Sequence, residues 1–113
     1  MALTRARFCE LLSERLKSNN DLFLMGLLSI MDAILEIEMS KILEQVPVDH
    51  AIKSALLGQE SSLRPLYRLM LAQESGEWAM STEFAQQLNL TDEQASDTWW
   101  LAMTRAQEVT SSV

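Results

Sequence analysis

Histidine and cysteine each occur only once in this 113-residue chain, as His50 and Cys9. A single cysteine excludes a disulfide within the chain and a metal site built from several cysteines. A single histidine cannot supply the ligand sets that zinc sites use. It could formally pair with Cys9 or complete a Ser/His/Asp set, but no motif in the sequence points to either. Cys9 lies on the apolar stripe of its helix, which indicates a small buried hydrophobe. The sequence therefore predicts no catalytic residue, no metal and no cofactor.

Glycine (3) and proline (2) are also scarce, and apolar residues nowhere alternate with polar residues over the length of a strand. Leucine, methionine, alanine, glutamate and glutamine dominate instead, and all of them favour helices. The length suits one domain. We therefore predict an all-α fold, arranged as an orthogonal multi-helix bundle within a single helical domain.

Basic residues are few, with 9 Lys and Arg against 16 Asp and Glu, so the net charge is −7. No basic face is evident, which argues against nucleic-acid binding. Residues 1–17 carry a net charge of +2, and the other 96 residues carry −9. This basic first helix could steer a partner, but pairing with the acidic body is the simpler interpretation.

No apolar run reaches the roughly 20 residues that a membrane-spanning helix needs. Arg5, Arg7 and Glu10 interrupt the N-terminus before any apolar run of the signal-peptide kind develops. We therefore expect a cytoplasmic protein that does not contact a membrane.

The stretch from residue 21 to residue 36 is apolar on every face of a helical wheel, and Asp32 is its only ionisable residue between 22 and 35. A helix of this kind needs neighbours on most sides. We predict one core helix over 21–36, with residues 22–35 the most buried part of the fold. Gly26 costs this helix about 1 kcal/mol relative to alanine, which indicates that another backbone comes close.

Local start and stop signals predict the other helices, with a turn at residues 17–20 before the core helix. Three of them are expected at about residues 5–17, 77–88 and 92–109, and shorter ones after residues 38, 49 and 62. The start signals are Thr4, Asp49, Ser61 or Ser62, and the capping box of Thr91 and Gln94; the stop signals are Pro47, Gly58, Gly76 and Asn89.

Residues 26–32, Gly-Leu-Leu-Ser-Ile-Met-Asp, resemble the G-L-L-H-D-I-G segment of HD-type phosphohydrolases. They are more similar to its degenerate form in HDOD domains, especially those that follow EAL domains in cyclic di-GMP signalling proteins. In HD enzymes the His-Asp pair binds the metal. Ser29 and Ile30 stand at these two positions, and neither side chain can replace an imidazole or a carboxylate as a ligand. The resemblance implies a helix that has kept its packing role and lost its metal.

Two further segments resemble the same HDOD regions. Residues 5–12, Arg-Ala-Arg-Phe-Cys-Glu-Leu-Leu, are similar to R-A-R-x-x-E-x-L, and residues 74–78, Glu-Ser-Gly-Glu-Trp, are similar to E-x-G-x-W. The likeness runs in order from about residue 5 to residue 108. A complete HDOD domain is nearly twice this length, so the resemblance implies the C-terminal part, with N-terminal helices and an EAL domain before Met1. It also implies an EAL domain as partner, in cis or in trans.

The pair Trp99 and Trp100 occupies two faces of the last predicted helix. Trp99 shares a face with alanines and Met103, so it is predicted to lie in the core. Trp100 points about 100° away, among polar residues. It is either covered by another helix or exposed as part of a partner surface. Trp100, Leu101 and Phe8 are the candidates for that surface, and a homodimer or higher oligomer is expected from it.

The function we predict is a non-catalytic regulatory module that acts in signal transduction through protein contacts. One alternative is a metal-dependent phosphohydrolase of the HD type, which the loss of the His-Asp pair disfavours. Another is a structural oligomerisation bundle. Asp32 would need a pocket and a proton partner to act as a base, and His50 is predicted to be an exposed residue in the first turn of a helix.

Overall fold

The structure is a computed structural model that describes residues 2–16 and 22–111. Its regular elements are all helical, and these ranges contain no strand. The helices are α1 (Ala2–Leu16), α2 (Leu22–Leu28), α3 (Met31–Leu35), α4 (Met39–Gln45), α5 (His50–Leu56), α6 (Arg64–Ser75), α7 (Trp78–Gln87) and α8 (Asp92–Ser111). The predicted all-α bundle is confirmed. The predicted turn at 17–20 lies outside the described residues.

Helix α1 makes the most extensive contacts of any helix, chiefly with α2 and α8, and it also packs against α6. Phe8, Cys9 and Leu12 are completely buried along its inner side. The helix begins at Ala2, so the prediction that Thr4 caps it is wrong. Thr4 lies four residues before Phe8, on the same side of the helix, and packing buries it with the apolar stripe.

Helices α1 and α2 come very close together at Gly26. A Cβ atom at this position would lie 2.6 Å from the Cα of Ala6 and 2.6 Å from the carbonyl oxygen of Arg5. Both are backbone atoms that no side-chain rotation can move away. The predicted close approach of another backbone is therefore confirmed.

The predicted core helix over residues 21–36 is broken in two at Ser29 and Ile30. In a continuous helix the Ala33 N–H would donate to the carbonyl oxygen of Ser29. The side chain of Arg5 donates to that oxygen instead, at 3.2 Å. The Ala33 N–H donates to Oδ1 of Asp32, at 2.9 Å. Both groups of the lost helical hydrogen bond, the Ser29 carbonyl and the Ala33 N–H, therefore have another partner at the break.

Helix α3, which follows the break, has no buried residue. Ile34 is 60% exposed and Leu35 is 48% exposed. The prediction that residues 22–35 are uniformly the most buried is therefore wrong for the second half. It is confirmed in part for α2, where Leu22, Met25, Gly26 and Leu28 are buried but Phe23, Leu24 and Leu27 are only half-buried.

Most local stop signals act as predicted. Val46, before Pro47, has left the helical region with φ −115° and ψ 117°. Gly58, Gly76 and Asn89 all have positive φ, at 78°, 77° and 60°, just after α5, α6 and α7. Such left-handed residues end helices because the chain turns away from the axis.

The capping box at the start of α8 is confirmed in both directions. The Thr91 N–H donates to Oε1 of Gln94 at 2.9 Å, and the Gln94 N–H donates to Oγ1 of Thr91 at 3.0 Å. The helix then runs through Ser111, two residues beyond its predicted end.

The core is one continuous cluster of buried side chains that draws on α1, α2 and α4 to α8. Phe8 and Trp99 pack edge to face within it, with ring centroids 5.3 Å apart and planes at 72°. The prediction that Trp99 belongs to the core is confirmed. Within the described ranges, no helix is long and apolar enough to cross a membrane.

Candidate functional site

Three distant segments of the chain meet at the side chain of Arg5, near the start of α1. Its Nε and Nη2 atoms donate to the two carboxylate oxygens of Glu74, each at 2.6 Å. Its Nη1 atom donates to both the carbonyl oxygen and the hydroxyl of Ser29, each at 3.2 Å. The guanidinium therefore joins α1 to the end of α2 and to the end of α6. We call Arg5, Ser29 and Glu74 the arginine junction.

The arginine junction is largely shielded from water, since the Arg5 side chain is 11% exposed and that of Glu74 is 22% exposed. The hydrogen bonds that Arg5 donates to Glu74 raise the pKa of Arg5 above its ordinary value, and burial opposes them. A planar guanidinium facing a carboxylate with two parallel bonds is the strongest common form of ion pair. The junction is thus a directional link among three helices.

Sequence patterns single out the three members of the junction separately but do not predict the contact among them. Arg5, Ser29 and Glu74 belong to the three segments, 5–12, 26–32 and 74–78, that carry the HDOD resemblance. Arg5 and Glu74 are 69 residues apart, and helical periodicity says nothing about pairing over that separation. The one signal that could have found the contact is the presence of opposite charges in two of these segments.

Ser29 and Ile30, which the sequence resemblance aligns with the His-Asp pair of HD enzymes, form the turn between α2 and α3. Ser29 is 7% exposed. Its hydroxyl donates to the carbonyl oxygen of Gly26 at 2.6 Å and accepts from Arg5. A positively charged group already contacts this hydroxyl, so a metal cation placed there would be repelled.

Other ionisable candidates stand apart from this site. His50 is exposed in the first turn of α5, as predicted, with Nε2 3.4 Å from the hydroxyl of Ser54. Asp32 bonds the backbone of its own helix. Across the described residues, no three His, Cys, Asp or Glu side chains are grouped closely enough to hold a metal ion.

Cys9 is fully buried, with its sulfur 3.6 Å from the sulfur of Met70. Burial raises the pKa of the Cys9 thiol to about 12. A thiol that stays protonated at neutral pH is a poor nucleophile. Its interpretation as a buried hydrophobe agrees with this environment.

Two of the three residues predicted to line a partner surface are at the surface. Trp100 is 68% exposed and Leu101 is 42% exposed, both on α8. Phe8 is completely buried, so the prediction that it lines such a surface is wrong. The reason is that α8 packs across α1 and places Trp99 against the Phe8 ring.

Two shallow grooves flank the exposed side of α8. One, between α1 and α8, is lined by Leu11, Glu14, Arg15, Thr98 and Leu101. The other, among α6, α7 and α8, is lined by Gln73, Trp78, Ser81, Thr82, Asp92 and Ser96. On the inner side of the second groove, the buried Gln73 amide donates to the Ser81 hydroxyl at 2.7 Å. We call this second groove the α6–α8 groove.

Trp78 is a surface residue that sequence reasoning missed. The sequence identifies it only as one of the apolar residues of the helix predicted over 77–88, but it is 61% exposed. It is the first residue of α7, directly after the turn at Gly76 and Glu77. The signal that could have found it is its position, since the first residue of a short helix often projects beyond the packed face.

Two curated proteins are similar to this chain. The protein YuxH of Bacillus subtilis (strain 168), described as uncharacterized, is 29% identical over 91 residues, which are 79% of this chain and 22% of YuxH. The cyclic di-GMP phosphodiesterase CdgJ of Vibrio cholerae serotype O1 is 32% identical over 81 residues, 69% of this chain and 19% of CdgJ. The chain therefore spans about a fifth of the length of these relatives. No protein-family model matches it, and no solved structure matches it.

Proposed function

We propose that this chain is a non-catalytic, HDOD-like regulatory module of cyclic di-GMP signalling that acts by contacting another protein. Its partner in this proposal is an EAL domain, in cis or in trans. The partial similarity to CdgJ, a cyclic di-GMP phosphodiesterase, supports the signalling context. The three segments that resemble HDOD regions support the kind of module, because they come together at the arginine junction.

The observation that carries the proposal is the contact between Arg5 and Ser29. At the position where an HD enzyme has a metal ligand, this chain has a hydroxyl that is bonded to a guanidinium and to a backbone carbonyl. The two hydrogen bonds of the Ser29 hydroxyl and the positive charge of Arg5 suit a residue that links helices. They do not suit the binding of a divalent cation.

The exposed side of α8 supplies a contact surface for such a module. Trp100 and Leu101 are large apolar side chains that no described residue covers fully. Tryptophan is among the residues that contribute most to protein interfaces when a partner buries it. The homodimer that the sequence suggests stays a prediction, to be examined by sedimentation.

The proposal is tested first on the isolated chain. Protein purified without a metal-binding tag is analysed for divalent metals and incubated with cyclic di-GMP. We expect neither stoichiometric metal nor hydrolysis. Bound metal, together with hydrolysis that is lost in Asp32→Asn, would replace this proposal with a phosphohydrolase of the HD type.

The regulatory part is tested in a chimera, in which this chain replaces the matching segment of full-length CdgJ. We expect the double substitution Trp100→Ala and Leu101→Ala to change the rate of cyclic di-GMP hydrolysis by severalfold. Ile34→Ala is the matched control, because Ile34 is an equally exposed apolar residue on α3, at 60%. Equal rates in all three chimeras would contradict a contact made through α8.

A further inference from the structure

The two most exposed tryptophans lie along the same side of the molecule. Trp78 lines the α6–α8 groove together with Asp92 and Ser96, the residues that α8 contributes to it. Trp100 follows Ser96 by four residues on α8, so it lies one turn, about 6 Å, further along the same side of that helix. We call Trp78, Ser96 and Trp100, with the groove between them, the tryptophan surface.

The charge around the tryptophan surface is predominantly negative. The first basic residue after it on α8, the exposed Arg105, comes nine residues after Ser96 and so lies about 180° away around the helix. Residues 69–104 contain no Lys, Arg or His and six acidic residues. Glu74 is used by the arginine junction. The other five are all exposed, and none of them makes an ion pair with another described residue; they are Glu77, Glu83, Asp92, Glu93 and Asp97.

We infer that the tryptophan surface binds a cationic, arginine-bearing peptide segment of a partner protein. This inference rests on the proposed function, since it names the chemistry of the partner. Guanidinium groups stack on indole rings and form forked bonds with carboxylates, so arginine satisfies both features of this surface at once. A lysine ammonium can pair with the carboxylates but does not stack as a planar group.

A second copy of the chain fits this surface less well. Two tryptophan surfaces facing each other would bring carboxylates of like sign together, which is unfavourable. The basic helix α1 of another copy offers little in exchange. Its Arg5 is held by Glu74 and its Arg7 is bonded to Glu10 at 2.9 Å, so the exposed Arg15 is its one arginine without a salt bridge to another described residue. The charges therefore favour a different protein as the occupant.

The test measures binding of fluorescently labelled octa-arginine, octa-lysine and octa-glutamate to the whole chain by anisotropy. We expect octa-arginine to bind about tenfold more tightly than octa-lysine, the size of effect that a few stacking contacts produce. Octa-glutamate is expected not to bind. Trp78→Ala and Trp100→Ala should each weaken octa-arginine binding severalfold while the circular dichroism spectrum stays that of the wild type, because both side chains project into solvent.

A matched pair of charge variants separates this site from general attraction to an acidic protein. Asp92→Asn with Asp97→Asn, and Glu38→Gln with Glu44→Gln, each remove two negative charges. The second pair lies on and beside α4, outside the tryptophan surface. We expect the first pair to weaken octa-arginine binding by at least fivefold more than the second. Equal losses in the two pairs, or equal binding of octa-lysine, would overturn the inference.

Two further outcomes bear on the occupant and on the proposed function. A wild-type dimer in sedimentation that Trp100→Ala converts to monomer would assign the surface to a second copy and overturn the cationic partner. If the CdgJ chimera responds to Trp100→Ala but octa-arginine is not preferred, the proposed function stands and this inference fails. Preferred octa-arginine binding with an insensitive chimera supports the inference and contradicts the proposed regulatory contact through α8.

Discussion

Arg5 and Glu74, 69 residues apart in the sequence, face each other through two parallel hydrogen bonds of 2.6 Å. The same guanidinium donates a hydrogen bond to the carbonyl oxygen of Ser29, which in a continuous helix would accept from the Ala33 N–H. One side chain thus accounts for a tertiary link and for the break in the central stretch. It also brings segments 5–12, 26–32 and 74–78 together in this fold.

Removing one partner of this ion pair should leave a mostly buried charge without a counterpart. We expect Glu74→Leu and Arg5→Met each to lower the free energy of unfolding by about 2–4 kcal/mol, and the double variant to lose less than the sum. Urea denaturation measures all three. The control is Glu60→Gln, which breaks the exposed pair with Arg64 and should cost less than about 1 kcal/mol. A Glu74 variant as stable as the Glu60 variant would contradict a structural role for the junction.

Gly26→Ala should destabilise the protein although alanine favours helices by about 1 kcal/mol over glycine. The new Cβ would lie 2.6 Å from backbone atoms of Ala6 and Arg5, so α1 and α2 must move apart. We expect a net loss of about 2 kcal/mol or more in the free energy of unfolding. Ala6→Gly should not rescue it, because the clash involves no side chain of Ala6.

Gly58→Ala is the control for that substitution. Gly58 has φ 78° but no neighbour within 4 Å of the added atom. Its cost should come from backbone strain alone, about 1–2 kcal/mol. A Gly26→Ala protein with wild-type stability would show that the two helices are not in close contact.

Thr91→Ala should remove one half of the capping box and lower the free energy of unfolding by about 1 kcal/mol. Its hydroxyl accepts from the Gln94 N–H, which no backbone carbonyl within the helix can satisfy. Thr82→Ala is the matched control, because the Thr82 hydroxyl only donates to a carbonyl one turn earlier in its helix. Thermal unfolding of both variants should show a lower midpoint for Thr91→Ala alone. Equal shifts would argue against the cap.

Signals that act within a few residues predicted much of this fold. The positive φ at Gly58, Gly76 and Asn89 and the capping box of Thr91 and Gln94 depend on the local backbone alone. Such features can be located from residue type and spacing. The close approach at Gly26 was also predictable, because a glycine inside an apolar helix lowers helix stability and is tolerated where a neighbouring backbone leaves no room for a Cβ atom.

What the sequence could not show depends on contacts between distant residues. The stretch over 21–36 is apolar on all sides, yet its continuity depends on Arg5, which competes for a backbone carbonyl 24 residues away. Phe8 has the same sequence neighbours whether α8 covers it or not, and only the packing of Trp99 decides its burial. Periodicity identifies an apolar face but not the element that covers it.

We expect the stability of this fold to decline at alkaline pH. Burial raises the pKa of the Cys9 thiol from 9.0 to about 12, and it also raises the pKa of Tyr67 above 10.0. Between pH 9 and pH 12 the unfolded chain has lost the Cys9 proton while the folded chain keeps it. Raising the pH through this range therefore favours unfolding, by up to about 1.4 kcal/mol per pH unit for each such group. Below pH 9 both states hold the proton, and Cys9 contributes no pH dependence.

Urea denaturation at pH 8 and at pH 10.5 measures this decline in the free energy of unfolding. We expect Cys9→Ala to be less stable than the wild type at pH 8, because it loses packing against Met70. Its stability should nevertheless fall less steeply with pH, and Tyr67→Phe should remove a further part of the slope. A Cys9→Ala protein whose stability falls as steeply as that of the wild type would mean that the thiol is not held protonated in the core.

Reaction of Cys9 with a thiol reagent in the folded protein at pH 8 should likewise be slow, because the side chain is completely buried and uncharged.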